Sequence, residues 1–115
     1  MSFSPGDVVE VPFPFVESPG RKRRPALVLS AESLCREQAV VILAMITSAK
    51  RSAWRSDVAI AEWRQAGLHG PCVVRWKVFT LEAALILSKR GFVSSGDRAR
   101  LGQSLRSVLT DPWSE

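Results

Sequence analysis

The sequence is poor in the residues on which many small catalytic sites depend. Its 115 residues include one histidine, His69, which excludes acid–base chemistry by a pair of imidazoles. Its two cysteines, Cys35 and Cys72, stand far apart in apolar surroundings. That suits free buried thiols in a reducing compartment and excludes a disulfide framework. His69 and Cys72 share the stretch HGPC, but two isolated ligands do not make a zinc site. They read as a turn histidine beside a buried cysteine rather than as a thiol dyad or half a metal site. With no metal-ligand cluster elsewhere, neither metal nor cofactor is expected. Long apolar runs are also missing, since none approaches the roughly 18 residues of a membrane span. The opening MSFSPGDVV has neither the basic region nor the apolar core of a leader. A cytoplasmic chain with no membrane partner is expected. Repeats, linkers and low-complexity stretches are lacking, so residues 1–115 are read as a single domain with one core.

What the chain has in excess is positive charge: 16 Lys and Arg against 11 Asp and Glu, a net charge of +5 and a pI near 10.0. That balance favours a polyanionic or acidic partner without distinguishing nucleic acid from protein.

The apolar pattern is mostly that of strands. In DVVEVPFPF (Asp7 to Phe15), Val9, Val11, Phe13 and Phe15 share a face and Pro12 and Pro14 take the other. The segment should therefore be an edge strand, or one whose proline side lacks a ladder partner. PALVLS and AVVILAMITS are too continuously apolar for a solvent-facing sheet and read as core strands. A short DVAI strand and a turn-like or helical AEWRQAGLHG precede two more candidates, CVVRWKVFT and ALILSKRGFVS. From Ser94 the period changes. A serine cap with Asp97 three residues on, then Leu101, Leu105, Val108 and Leu109 on one face, predicts a C-terminal helix that ends before Pro112. The fold class is mainly β: a small, strongly curved antiparallel barrel, SH3-like, closed by one α-helix.

On that frame Arg21, Lys22, Arg23 and Arg24 fall in the loop between the first two strands, and Lys50, Arg51 and Arg55 in the loop after the third. Arg75 and Lys77 alternate on a later strand. Charges at barrel mouths can line one groove, although a basic loop can equally be a solvated turn. Trp54, between Arg51 and Arg55, offers a ring on which a base could stack; packing over the barrel end or a dimer seam is the alternative. Trp63 and Trp76 go to core or interface, and Arg98, Arg100 and Arg106 to the helix surface.

The segments GDVVEVPFPF, KRRPALVLS, AMITS and VVRWKVFTL, in this order and followed by a closing helix, resemble the MazF/PemK family of toxin endoribonucleases from bacterial toxin–antitoxin pairs. The resemblance runs from Gly6 to about Leu109. It implies an SH3-like barrel with an appended helix, a homodimer, and sequence-selective cleavage of single-stranded RNA without a metal. It also implies an acidic antitoxin that blocks the enzyme, and operator DNA as a ligand of the toxin–antitoxin complex. It places the catalytic arginine at Arg24 and the catalytic hydroxyl at Thr47, with Ser48 adjacent. The acidic residue that some members carry before Arg-Pro can here only be Glu17. A glutamine position on the strand before the helix is taken by Lys77 or its neighbours. Ser48, Glu17 and Lys77 therefore stand as further catalytic or substrate contacts, and Arg21, Lys22, Arg23, Lys50, Arg51, Trp54, Arg55 and Arg75 as RNA-binding residues.

Ribose cleavage needs the 2′-hydroxyl deprotonated, the charge growing on phosphorus neutralised and the 5′-oxygen protonated, leaving a 2′,3′-cyclic phosphate and a 5′-hydroxyl. An arginine fork suits the second task, because it holds two phosphate oxygens and stays charged. Pro25 biases Arg24 towards extended backbone, so Arg24 is expected at the strand mouth with Arg21, Lys22 and Arg23 on a mobile loop. Two readings from other classes stay open: a catalytically silent SH3-like module that binds RNA or a peptide, and a gyrase-poisoning toxin of the same CcdB-like fold.

Overall fold

A computed structural model describes residues 2–13 and 22–110 of the chain; Glu17, Arg21 and Trp113, with Pro14 and Phe15, lie outside the described residues. Six strands, β1 (Asp7–Phe13), β2 (Lys22–Val28), β3 (Val40–Ser48), β4 (Val58–Ala59), β5 (Cys72–Glu82) and β6 (Ser88–Phe92), form one antiparallel sheet in the order β4-β5-β3-β2-β1-β6. Two helices accompany it, α1 (Glu32–Gln38) and α2 (Ser95–Val108). The sheet curls into a half-barrel and α2 closes it, which is the mainly-β architecture expected. No helix among the described residues is long and apolar enough to cross a membrane.

Both faces of the sheet are covered, and this is why its strands read as unbroken apolar runs. Val8, Leu27, Ala44, Ile46, Val74 and Trp76 turn towards α2 and the segment after β4, where they meet Ile60, Leu68 and Leu101. Their neighbours Val9, Val11, Ala26, Val28, Val41, Leu43 and Leu81 turn the other way, around Phe3 and Cys35. The Trp76 indole N–H donates to Ser104 Oγ at 2.8 Å, so the largest side chain of the first core leaves no unmet donor.

β1 is an interior strand, paired with β2 over Val8 to Phe13 and with β6 over Asp7 to Glu10. Of the two arrangements its prolines permit, the second is found. The Glu10 carbonyl accepts from Leu87 N–H on the β6 flank, and residues two apart share a flank. Pro12 therefore turns its missing N–H to a side where the β6 ladder has already stopped. The β2 side needs nothing from Pro12, so the hairpin runs on past it. Lys22, Arg23 and Arg24 are consequently strand residues opposite Phe13, Pro12 and Val11, not loop residues as expected.

α1 was not among the expected elements, because its seven residues are too few to show a helical apolar period; it buries Cys35 and ends on Ala39 in the left-handed region, φ 58°. The apolar stretch before β6 is cut short as well, because a 3-10 turn occupies Ala83–Leu85 and pairing begins only at Ser88. In α2 the Ser94 hydroxyl caps Asp97 N–H at 3.1 Å as expected. Leu101 and Leu105 face the core, but Val108 and Leu109 are left 46% and 66% exposed.

Candidate active-site cleft

The Arg-Pro dipeptide opens the candidate site. Leu29 N–H donates to the Ile42 carbonyl on β3, and Gly6 N–H donates to the Val28 carbonyl from the β1 side. Odd-numbered residues of β2 therefore turn their backbone groups to β3. Pro25 is one of them and has no N–H to give, so the β2–β3 ladder stops at Ala26 opposite Met45. Continuing that register by two residues sets Arg24 against Thr47, just where the strands are no longer tied. Their side chains line a cleft of about 530 Å³ in the gap.

The cleft gathers Arg23, Arg24, Thr47, Ser48, Lys50 and Arg51 from the sequence-predicted set. A 3-10 turn over Ala49–Arg51, capped by Ser48 Oγ at 3.3 Å from Lys50 N–H, brings the last two to its rim. Trp54, Arg55, Arg75, Lys22 and Lys77 do not line it; Glu17 and Arg21 lie outside the described residues. Besides apolar residues and Gly70, three side chains that can bond or carry charge line it without having been assigned to the site: His69, Cys72 and Arg90. Burial pushes the Cys72 thiol above its ordinary range, with the Arg90 charge opposing, which speaks against a thiolate nucleophile.

Two glycines explain the arrival of His69 and Arg90. A Cβ on Gly67, whose φ is +77°, would stand 2.3 Å from the Arg90 carbonyl oxygen, and one on Gly91 would stand 2.6 Å from the Gln65 carbonyl oxygen. The turns before β5 therefore lie backbone against backbone on β6. Such an approach leaves a local signal, glycine on both sides, but not the identity of the partner. Behind the cleft Glu10 reaches Arg23 at 3.6 Å and Arg90 at 4.0 Å. Among the described residues no carboxylate lines the cleft itself, and no three His, Cys, Asp or Glu side chains gather where a metal ion could sit.

A family model for the PemK-like, MazF-like toxin of type II toxin–antitoxin systems matches residues 4–109. The chain belongs to this toxin family. The half-barrel is shared with an endoribonuclease solved in complex with its cognate antitoxin from a mycobacterial species, 18% identical with a TM-score of 0.72 over 98% of both chains. It is shared too with Mycobacterium tuberculosis toxin MazF-mt6, 18% identical with a TM-score of 0.72 over 93% of this chain and 99% of that one. MazE–MazF from Deinococcus radiodurans is 20% identical, with a TM-score of 0.72 over 96% and 97% of the two chains. At these identities the likeness is one of fold. Comparison with curated protein sequences gives no match.

Beside the cleft of this toxin, Arg75 is committed elsewhere. It grips Asp57 through Nε at 3.2 Å and Nη2 at 3.0 Å, and Nη2 also donates to the Arg51 carbonyl at 3.0 Å. Asp57 further accepts from Ser52 Oγ and from the backbone N–H groups of Ala53 and Trp54. The Arg75 guanidinium, with these N–H and O–H donors against a smaller burial penalty, holds the Asp57 carboxyl down at about 2. The result is a fixed loop presenting Trp54, 45% exposed, with Arg75 5.3 Å from its ring centre. Trp63 and Trp76 pack into the core. Arg98 and Arg100 are exposed, yet each ties a backbone carbonyl, Pro5 and Ala59, at 2.9 Å.

Proposed function

We propose that this toxin cleaves single-stranded RNA, at preferred sequences, by attack of the ribose 2′-hydroxyl on the adjacent phosphate. Members of the family are endoribonucleases, and the observation that carries the reading here is the opposition of Arg24 and Thr47 across an untied strand end. Arg24 would hold two oxygens of the scissile phosphate and stabilise the charge that grows on them, an effect worth on the order of 3 kcal/mol of barrier for one preorganised donor. Thr47 and Ser48 add neutral hydroxyl donors. Arg23, Lys50, Arg51 and Arg90 give the backbone a cationic track, and Trp54 a surface on which a flanking base can stack. Arg75 acts through the loop it pins. No step calls for a metal, and the site of action is the cytoplasm, where messenger RNA is.

The same cationic cleft suits the acidic, disordered tail of an antitoxin, which would compete with RNA. Large apolar side chains exposed at the end of β6, within β5 and at the helix terminus, Phe92 at 53%, Val78 at 43% and Leu109, fit a homodimer. Sedimentation showing only a 12.7 kDa species at micromolar concentration would count against the dimer.

The test is incubation with one long defined RNA in EDTA, followed by mapping of the ends. Cuts leaving a 2′,3′-cyclic phosphate and a 5′-hydroxyl are expected, and deoxyribose 5′ of the cut should abolish them. RNA bound but intact would reassign the cleft to a silent binding module. Arrest of DNA supercoiling with RNA intact would reassign the chain to gyrase poisoning.

A further inference from the structure

We propose that His69 is the general base of this cleft, taking the proton from the attacking 2′-hydroxyl. The inference rests on the endoribonuclease reading. That reaction needs a proton acceptor near neutral pH, and among the described residues the lining side chains leave one choice. Arg23 and Arg24 from β2, Lys50 and Arg51 after β3, and Arg90 from β6 are cations with no acceptor capacity at neutral pH. The hydroxyls of Thr47 and Ser48 are too weakly basic. Cys72, at the start of β5, holds its thiol proton because of burial. Two carboxylates tied to residues around the cleft are held in ion pairs: Glu10 is shared by Arg23 and Arg90, and Asp57 is gripped by Arg75. An imidazole is the side chain suited to the task.

The position is built rather than incidental. On one side of His69, buried Leu68 donates its N–H to the Trp63 carbonyl at 3.0 Å. On the other, the Pro71 carbonyl accepts from Ala49 N–H at 3.0 Å, next to the Thr47–Ser48 strand end. Gly67 seats the whole turn on the β6 backbone at Arg90. The backbone is thus held on both sides of a solvent-exposed imidazole that lines the same cleft as the Arg24–Thr47 pair. In the reaction the imidazole takes the 2′-hydroxyl proton as O2′ bonds to phosphorus and the P–O5′ bond breaks. The departing 5′-oxygen takes a proton from water, and the imidazolium returns its own to the hydroxide so formed.

The experiment is single-turnover cleavage at saturating RNA from pH 5 to 9 by the wild-type protein, His69→Gln, His69→Ala and Glu17→Gln, each checked for an unchanged melting temperature. The wild-type rate should fall on acidification. His69→Gln should be slower by about a hundredfold or more with RNA affinity within about threefold, and should lack the acid limb. Added imidazole should speed His69→Ala in proportion to its free-base concentration. A His69→Gln protein that keeps the acid limb, whether fast or slow, overturns the proposal. So does loss of the limb in Glu17→Gln instead. In both cases the cut RNA leaves the endoribonuclease reading standing, whereas RNA left intact by the wild type refutes that reading itself.

Discussion

Asp97→Ala is the perturbation whose cost the structure defines best. Asp97 is 1% exposed on the first turn of α2. Its two carboxylate oxygens accept from Ala61 N–H at 2.9 Å and Glu62 N–H at 3.0 Å, and Arg100 pairs with one of them. One side chain thereby fastens the turns leading to Leu68 and His69 onto the closing helix. Removing it strips two N–H groups of their acceptor, at about 1–3 kcal/mol each where water cannot replace it. Ala61 and Glu62 themselves are exposed, so water recovers part of this and the net loss should be about 3 kcal/mol. At about 4 °C per kcal/mol for a chain of this size, the melting temperature should drop by roughly 12 °C. Arg100→Ala should cost under about 1 kcal/mol, because that side chain is 46% exposed and water can take its place at the carboxylate. Asp97→Asn should not rescue, since its amide would set an N–H against a backbone N–H. Thermal unfolding followed by circular dichroism reads all three. If Asp97→Ala costs less than about 1 kcal/mol, or Arg100→Ala costs as much as Asp97→Ala, the carboxylate is not the anchor described.

Arg24→Lys keeps the charge and loses the fork, so it should slow cleavage at saturating RNA by at least about tenfold with little change in affinity. Arg23→Ala should do the reverse, lowering the salt dependence of RNA binding by about one phosphate contact while sparing turnover; full activity in both would remove Arg24 from the reaction. Asp57, held at about 2 chiefly by Arg75, contributes stability that is present above the ordinary carboxylate range and lost as pH falls from about 4 towards 2. With solvent screening that contribution is on the order of 1 kcal/mol. The wild-type advantage over Asp57→Asn in thermal unfolding should therefore be seen at pH 6 and vanish near pH 2; an advantage that persists there would contradict the assignment.

Features legible in the sequence were those that neighbouring residues decide. The continuous apolar runs of β2 and β3 marked doubly covered strands, and Ser94 with Asp97 marked the start of α2. Both depend on a backbone preference or a periodicity within a few residues. Arg24 before Pro25 and Thr47 near the end of β3 were marked as a candidate pair by the resemblance to the toxin family, not by such a local preference. Two features went the other way for lack of such a signal: α1 is too short to show a period, and the strand residues Lys22 and Arg23 look like a loop until the unused flank of Pro12 is known.

Which residues meet at the cleft was decided only by the tertiary structure. Pro25 opens a gap because of which neighbour its missing N–H would have faced, and that is a matter of strand order. His69 and Arg90 arrive there because Gly67 and Gly91 let two distant backbones touch. Arg75, by composition as good a phosphate ligand as Arg24, is spent on Asp57, eighteen residues away. A charge is legible in one dimension; whether it faces solvent, substrate or another charge depends on register and curvature, which no local stretch of chain contains.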